Sequence, residues 1–296
     1  MSNRLLVTGA SGKLGRGIVN HLLDTFRVPA ANIVAVTRKP DAIAEFAARG
    51  VEVRAGDFDD EAGLAKAFAG ADRIVIISAE DAITPGRRIR QQRAAVAAVK
   101  AAGAKHVIYT SMPNPDEASP ITFAGDHRGT EQAIVATGLP YTIVRVSWYQ
   151  ENLLNSLPQA LKSGQWFSAA GDGRVSHVGR DDVAAAVAGA LASDTDESAT
   201  YTLTGPKAYT TAEIAALVAK VTGRPLQVVP VSDDQLAQGL KSAGLPDPVV
   251  AMVAGFDTNT RLGRVDLVTG DVKKLAGREP RSLETFLTEN KAALAS

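Results

Sequence analysis

The chain has 296 residues, 45% hydrophobic and 22% charged, enough to bury a large core in a Rossmann unit with an appendage or in two domains. Its 32 Lys and Arg balance its 32 Asp and Glu, so no net field draws it to nucleic acid or to an anionic membrane. The absence of cysteine excludes disulfides and thiolate chemistry and suits a reducing cytoplasm. The sequence carries no secretory signal pattern and no run near the ~20 apolar residues of a membrane span, so a soluble, cytoplasmic protein is expected.

The first apolar run, Leu5-Leu6-Val7, reads as a strand and leads into Thr8-Gly9-Ala10-Ser11-Gly12-Lys13-Leu14-Gly15. Three glycines three residues apart, between a strand and a helix, describe a turn that holds a dinucleotide pyrophosphate. Gly9 permits the tight turn, Gly12 brings backbone to phosphate without a Cβ, and Gly15 lets the helix pack close. Ala10, Ser11, Lys13 and Leu14 complete the cradle, and the helix N-terminus offers unpaired N–H groups and a positive dipole end.

Further strands are expected at 33–37, 51–55, 74–77, 106–110 and 141–146, with helices near 13–25, 41–49, 61–69, 88–102 and 127–137. Gly50, Gly70, Gly103 and Gly138 follow helical patterns where a left-handed C-cap is wanted. Buried strands alternating with helices give an α/β class, a Rossmann-type doubly wound parallel sheet with right-handed crossovers. Residues 1–150 are expected to form the dinucleotide-binding domain. Residues 151–296 form mainly a smaller C-terminal α/β subdomain on the substrate side, with roughly 175–195 returning to the first domain. There, helices are expected at 151–162, from Arg180 onward, and at 211–221, 233–243 and 283–294, with short strands at 201–204 and 226–231.

The end of the second strand selects the cofactor. An NAD site places Asp or Glu there, whereas this chain has Thr37-Arg38-Lys39. Arg38 can pair bidentately with a 2′-phosphate and Lys13 adds positive charge, so NADPH is favoured over NADH. The alternative is a pair of ordinary solvated cations, with Asp41 only capping the next helix. Asp57 is placed to accept from the adenine amino group and Phe58 to line the adenine slot, unless the acidic run 57–60 only caps the helix that follows. Ser78, Ala79 and Glu80, after the fourth strand, pass beside ribose and nicotinamide.

These stretches, with Tyr109-Thr110-Ser111, Trp148-Tyr149-Gln150-Glu151-Asn152, Ala169-Ala170-Gly171-Asp172-Gly173 and Gly244-Leu245-Pro246, resemble the atypical, NmrA-like branch of the short-chain dehydrogenase/reductase superfamily over essentially the whole length. Most dehydrogenases of that superfamily use a Tyr-x-x-x-Lys pair. Four residues beyond tyrosines 109, 141, 149, 201 and 209 stand Pro113, Arg145, Leu153, Gly205 and Glu213, so the pair does not occur; His127-x-x-x-Glu131 occupies its place. A basic alkoxide would need a positioned acid. A quinone yields a phenolate-type oxygen with a conjugate acid near pKa ~10, and a cationic triarylmethane dye needs no proton. The resemblance therefore implies two-electron reduction of a quinone-like acceptor by NADPH, with a dye reductase or a non-catalytic NADP-binding redox sensor as alternatives.

Ser111, ending the fifth strand, is a candidate hydrogen-bond donor to a quinone oxygen, or only a strand-end cap. His127 is a candidate proton donor, or a helix residue paired locally with Asp126 or Glu131. Trp148 and Tyr149 offer flat surfaces to a flat acceptor, or pack between domains. Ser147, Glu151 and Asn152 lie on the nicotinamide side, the last two also able to cap the next helix, and Phe123 is a candidate lid residue. Arg87, Arg88, Arg90 and Arg93 read as a solvated helix face and not a nucleic-acid surface. The histidines (21, 106, 127 and 177) have no metal-site spacing. Oligomeric state stays open, a homodimer among the options.

Overall fold

The computed structural model describes residues 3–81 and 84–294. Strands β1 (Leu5–Val7), β2 (Ile33–Thr37), β3 (Glu52–Ala55), β4 (Arg73–Ile76), β5 (His106–Ser111) and β6 (Tyr141–Val146) follow in chain order. Two short strands, β7 (Gln165–Ser168) and β8 (Arg174–Val175), precede β9 (Ala199–Leu203). The central sheet is entirely parallel, in the order β3-β2-β1-β4-β5-β6-β9. Its crossovers are α1 (Lys13–Asn20), α2 (Ala44–Ala48), α3 (Glu61–Phe68), α4 (Arg87–Ala101) and α5 (Ala124–Ala136), followed after β6 by α6 (Leu153–Ser163) and α7 (Arg180–Ala192).

Alternation along the strands sorts the core into two layers. Leu5 and Val7 face Ile18 and Val19 of α1, Leu22 of the turn that continues it, and Val183, Val187 and Leu191 of α7. Leu6, Val34, Ile74 and Tyr109 face Leu64 and Phe68 of α3, Ala95 and Val99 of α4, and Ile134 of α5. With both faces covered, β1, β2, β4 and β5 are buried at every position. The four expected C-cap glycines all take positive φ.

The sheet has one strand more than expected in its central order. β9 lies in the second half of the chain and pairs with β6, Val146 opposite Leu203. α7 lies against α1, and buried Arg73 at the start of β4 locks its far end. The Arg73 guanidinium donates to Ala190 O (3.1 Å), Leu191 O (3.1 Å) and Thr195 O (2.9 Å). A cation at orphan carbonyls also complements the negative end of the helix dipole.

The remaining elements are β10 (Tyr209–Thr210), α8 (Thr211–Thr222), β11 (Gln227–Pro230), α9 (Asp233–Ser242), α10 (Asp247–Arg261), α11 (Asp271–Ala276) and α12 (Leu283–Glu289). A separate core joins α6, α8 and α12 through Leu157, Leu161, Ile214, Val218, Phe286 and Leu287. β7, β8, β10, α10 and α11 were not expected. α10 carries Gly255, Thr258, Asn259 and Thr260, poor helix formers, and is held by packing. A Cβ on Gly255 would stand 2.9 Å from Pro120 O, so glycine lets α10 seat against the loop after β5. The first long helix also departs from its pattern, passing from α to π geometry over His21–Thr25. No helix among the described residues is long and apolar enough to cross a membrane.

Candidate functional site

The glycine turn connects β1 to α1. Gly9 has φ +59°, a left-handed conformation that glycine adopts without strain. A Cβ on Gly15 would stand 2.3 Å from Gly9 O and 2.8 Å from Ala10 Cα, so the helix can approach its own turn only without a side chain. Gly12 is the N-cap of α1; no side chain caps the helix and no acid occupies its first turn. The Lys13, Leu14 and Gly15 amides therefore face outward from a positive helix end. Three threonines tie the strand ends together. Ile77 N donates to Thr8 Oγ1 (2.9 Å), Ser78 N to Thr110 Oγ1 (2.9 Å), and Thr37 Oγ1 to Ser11 Oγ (2.8 Å). Ser78 and Ala79 are half-buried beside this edge, and Glu80 is exposed.

Lys13, Arg38 and Lys39 are exposed, and no hydrogen bond or ion pair among the described residues engages their side chains. On the following segment, Glu45 is held by Arg16, which also bonds Ser11 O and Ala42 O. Asp41 is not an N-cap: it lies in the first turn of a 3-10 segment whose cap position is Lys39. Asp60 caps α3, accepting from Gly63 N, while Asp57 Oδ1 accepts from Asp59 N at 3.0 Å. Gly56, just before, cannot carry a Cβ, which would meet Val36 Cγ1 at 2.5 Å. Phe58 packs on the α3–α4 core layer.

At the end of β5, Ser111 and Arg145 are register partners on neighbouring strands, and Glu131 of α5 bridges them. Ser111 Oγ donates to Glu131 Oε1 at 2.6 Å, and Arg145 donates to both Glu131 oxygens at 3.0 and 2.7 Å. The Ser111 proton is thus committed inward, and its lone pairs remain for other partners.

His127 is 3% exposed. Arg88 can only donate, so at 2.7 Å it makes His127 Nε2 the acceptor and leaves the ring proton on Nδ1, which donates to Tyr109 Oη at 2.8 Å. Tyr109 in turn donates to Gln92 Oε1 at 3.0 Å. Burial, reinforced by the Arg88 charge, holds the imidazole well below its ordinary pKa, and burial raises the Tyr109 phenol. A neutral ring engaged at both nitrogens has no proton to lend. The partners expected for it, Asp126 and Glu131, are not the ones it takes.

The arginine run at the start of α4 is likewise not a uniform solvated face. Arg87 and Arg90 pair with Asp59 at 2.8 and 3.2 Å and, with Gln91, hold its carboxyl down at about 2. Arg88 turns inward, and Arg93 stays exposed.

The aromatic residues split between two walls. Trp148 packs against Phe256 of α10 with ring centroids 4.9 Å apart and planes tilted by 60°, and Phe123, the N-cap residue of α5, meets Phe256 at 6.3 Å and His127 at 5.9 Å. With Met112 and Ile121 they form an apolar cluster bridging the β5–α5 loop to the C-terminal part. Tyr149 faces the opposite way, under Arg180 at 4.8 Å, and burial raises its phenol to about 12. Ser147 is buried against Ser176 (Oγ–Oγ 3.4 Å). Glu151 caps α7 instead of its own helix, accepting from Arg180 N at 3.1 Å through both oxygens. Asn152 is exposed and makes no side-chain cap.

Sequence reasoning missed Arg88 and Arg145 as parts of this region. Arg88 shares the i, i+3, i+4 face of Gln91 and Gln92, all three buried, and that spacing was a usable signal. Arg145 joins Glu131 only through the β5–β6 register, which carries no local signal.

The sequence profile of the NmrA-like family matches residues 1–287. Quinone oxidoreductase 2 of Escherichia coli is 37% identical over 279 residues, 94% of this chain and 96% of that protein. The crystal structure of the E. coli NADPH-dependent quinone oxidoreductase complexed with NADPH superposes with TM-score 0.90 at 36% identity, covering 96% of this chain and 98% of that one. Citrobacter triphenylmethane reductase complexed with NADP(H) gives TM-score 0.87 at 33% identity, covering 97% and 99%.

Proposed function

The chain belongs to the NmrA-like family, and from that premise we propose that it is an NADPH-dependent reductase of quinones and similar conjugated acceptors. One observation carries the reading. Where the superfamily's acid pair would stand, this chain holds the closed Ser111–Glu131–Arg145 bridge and a neutral, fully engaged His127. Such a site suits an acceptor that needs little acid catalysis.

The cradle fits the cofactor. The space that a Gly15 Cβ would fill is turn backbone, the α1 N-terminus is uncapped by side chains, and Arg38 is free beside it. The amides of Lys13, Leu14 and Gly15 would hold the pyrophosphate and Arg38 the 2′-phosphate. Ser78 and Ala79 would flank the ribose side, with Asp57 and Phe58 at the adenine end. The dinucleotide, when bound, supplies the hydride. The protein's share is positioning: Trp148 and Phe123 wall the acceptor side, and the Ser111 lone pairs can accept from a nicotinamide or hydroquinone N–H or O–H group. The phenolic oxygen of the product, with pKa ~10, takes its proton from water at neutral pH.

The test is loss of NADPH absorbance with a simple benzoquinone, corrected for the non-enzymatic rate. Turnover is expected. Tight NADP binding with no turnover over a panel of quinones and dyes would overturn the reading in favour of a redox sensor.

A further inference from the structure

Arg88 is 6% exposed and the second residue of α4. Its guanidinium lies 4.9 Å over the Phe123 ring and donates to uncharged His127, while its Nε–H is buried without a hydrogen-bond partner. Two carboxylates lie in its electrostatic neighbourhood, and neither ion-pairs with it. Asp81 pairs with Arg87 at 3.3 Å, and Asp126 makes no ion pair with Arg88. A guanidinium remains charged even when burial pulls its pKa down, and a buried cation without a directly paired anion is costly. The α4 N-terminus adds charge of the same sign: Gly86 caps it without a side chain, and its first turn holds no acid. The Arg88 guanidinium lies directly against Phe123, which packs with Trp148 and Phe256 in the aromatic wall proposed for the acceptor side.

We propose that Arg88 makes this wall electropositive and so sets the charge class of the acceptor, favouring neutral conjugated carbonyl compounds that become anions on reduction over cationic acceptors that become neutral. The inference rests on the hydride-transfer reading above. In the favoured case a hydride from a reduced nicotinamide adds with its electron pair to the quinone. The nicotinamide is oxidised, negative charge collects on the phenolic oxygen, and a solvent proton completes the hydroquinone. In the disfavoured case the hydride cancels a carbocation, so no anion forms, and the guanidinium repels the acceptor as it binds. A unit charge about 10 Å away, at an effective dielectric near 20, changes a rate roughly tenfold.

The experiment compares kcat/KM for a simple benzoquinone with that for a cationic triarylmethane dye, in wild type, Arg88→Gln and Arg88→Lys. The quinone-to-dye ratio is expected to fall roughly tenfold or more in Arg88→Gln and to be largely kept in Arg88→Lys. Parallel losses on both acceptors, or an unchanged ratio, would show that Arg88 is only structural. A second measurement needs no variant and no turnover. Para-nitrophenol, a chromogenic mimic of the phenolic product, should ionise at lower pH when bound to wild-type protein than when free, and equal ionisation overturns the proposal even if Arg88→Gln fails to fold. Wild-type protein that reduces neither acceptor defeats the hydride-transfer reading itself. Quinone turnover with an unchanged ratio in Arg88→Gln defeats only the role of Arg88.

Discussion

Replacing Gly15 by alanine tests the cradle most directly. The added Cβ would meet Gly9 O at 2.3 Å and Ala10 Cα at 2.8 Å, both backbone atoms, so α1 and the turn must separate by about 1 Å to reach ordinary contact. That shift has two consequences. Overpacking of this kind costs about 1–3 kcal/mol of stability. It also misaligns the amides at the α1 N-terminus, and loss of two charge-assisted hydrogen bonds at ~1.5 kcal/mol or more each weakens NADPH binding at least ~100-fold. Gly12→Ala separates the two effects. Its Cβ would meet only Gly9 O, at 3.3 Å, so the fold should hold while the methyl group obstructs the phosphate. Fluorescence titration with NADPH gives affinity, and urea unfolding gives stability. A Gly15→Ala protein that binds NADPH within about threefold of wild type would refute the argument that this turn is the pyrophosphate site.

Three further outcomes follow from the same geometry. Arg38→Asp should weaken NADPH binding about 100-fold or more and leave NADH within about threefold, because a phosphate-pairing guanidinium becomes a repelling carboxylate; equal losses would remove Arg38 from the 2′-phosphate site. Ser111→Ala should lower quinone turnover by less than about tenfold, since the Ser111 proton already belongs to Glu131, and a loss of about a thousandfold would identify Ser111 as an essential donor. His106 and His177 are held at about 4 by burial, against 6.5 for a free imidazole. Their folded pKa values are lowered, so the unfolded chain binds the extra protons and stability falls as pH drops below 6.5. Each should remove about 1 kcal/mol between pH ~6.5 and ~5.5, and His127 acts with the same sign. Urea midpoints across that range check this, and a His106→Gln variant should show a shallower dependence.

The sequence by itself determined the features that depend on neighbours in the chain. The β1–α1 turn was legible because Gly9, Gly12 and Gly15 are each required by backbone geometry within seven residues. Strands β1, β2, β4 and β5 were legible because a sheet covered on both faces demands near-continuous apolar runs, and the edge strand β3 because Val51, Val53 and Ala55 alternate with Glu52 and Arg54. The exposed cation Arg38 was legible as the residue at the end of the second strand, where an acid is absent. Tertiary structure alone decided the state of the polar groups at the ends of β5 and β6. His127 is neutral because the fold buries it and Arg88, 39 residues away, reaches its Nε2, and Ser111 is a committed donor because Glu131 is pinned by Arg145 of the next strand. Glu151 caps α7 because β6 and α7 converge, and β9 enters the sheet from the second half of the chain. Periodicity and turn chemistry are local and survive in a linear string. Burial, proton placement and the sign of a buried field are set by partners that only the folded chain brings within a few ångström.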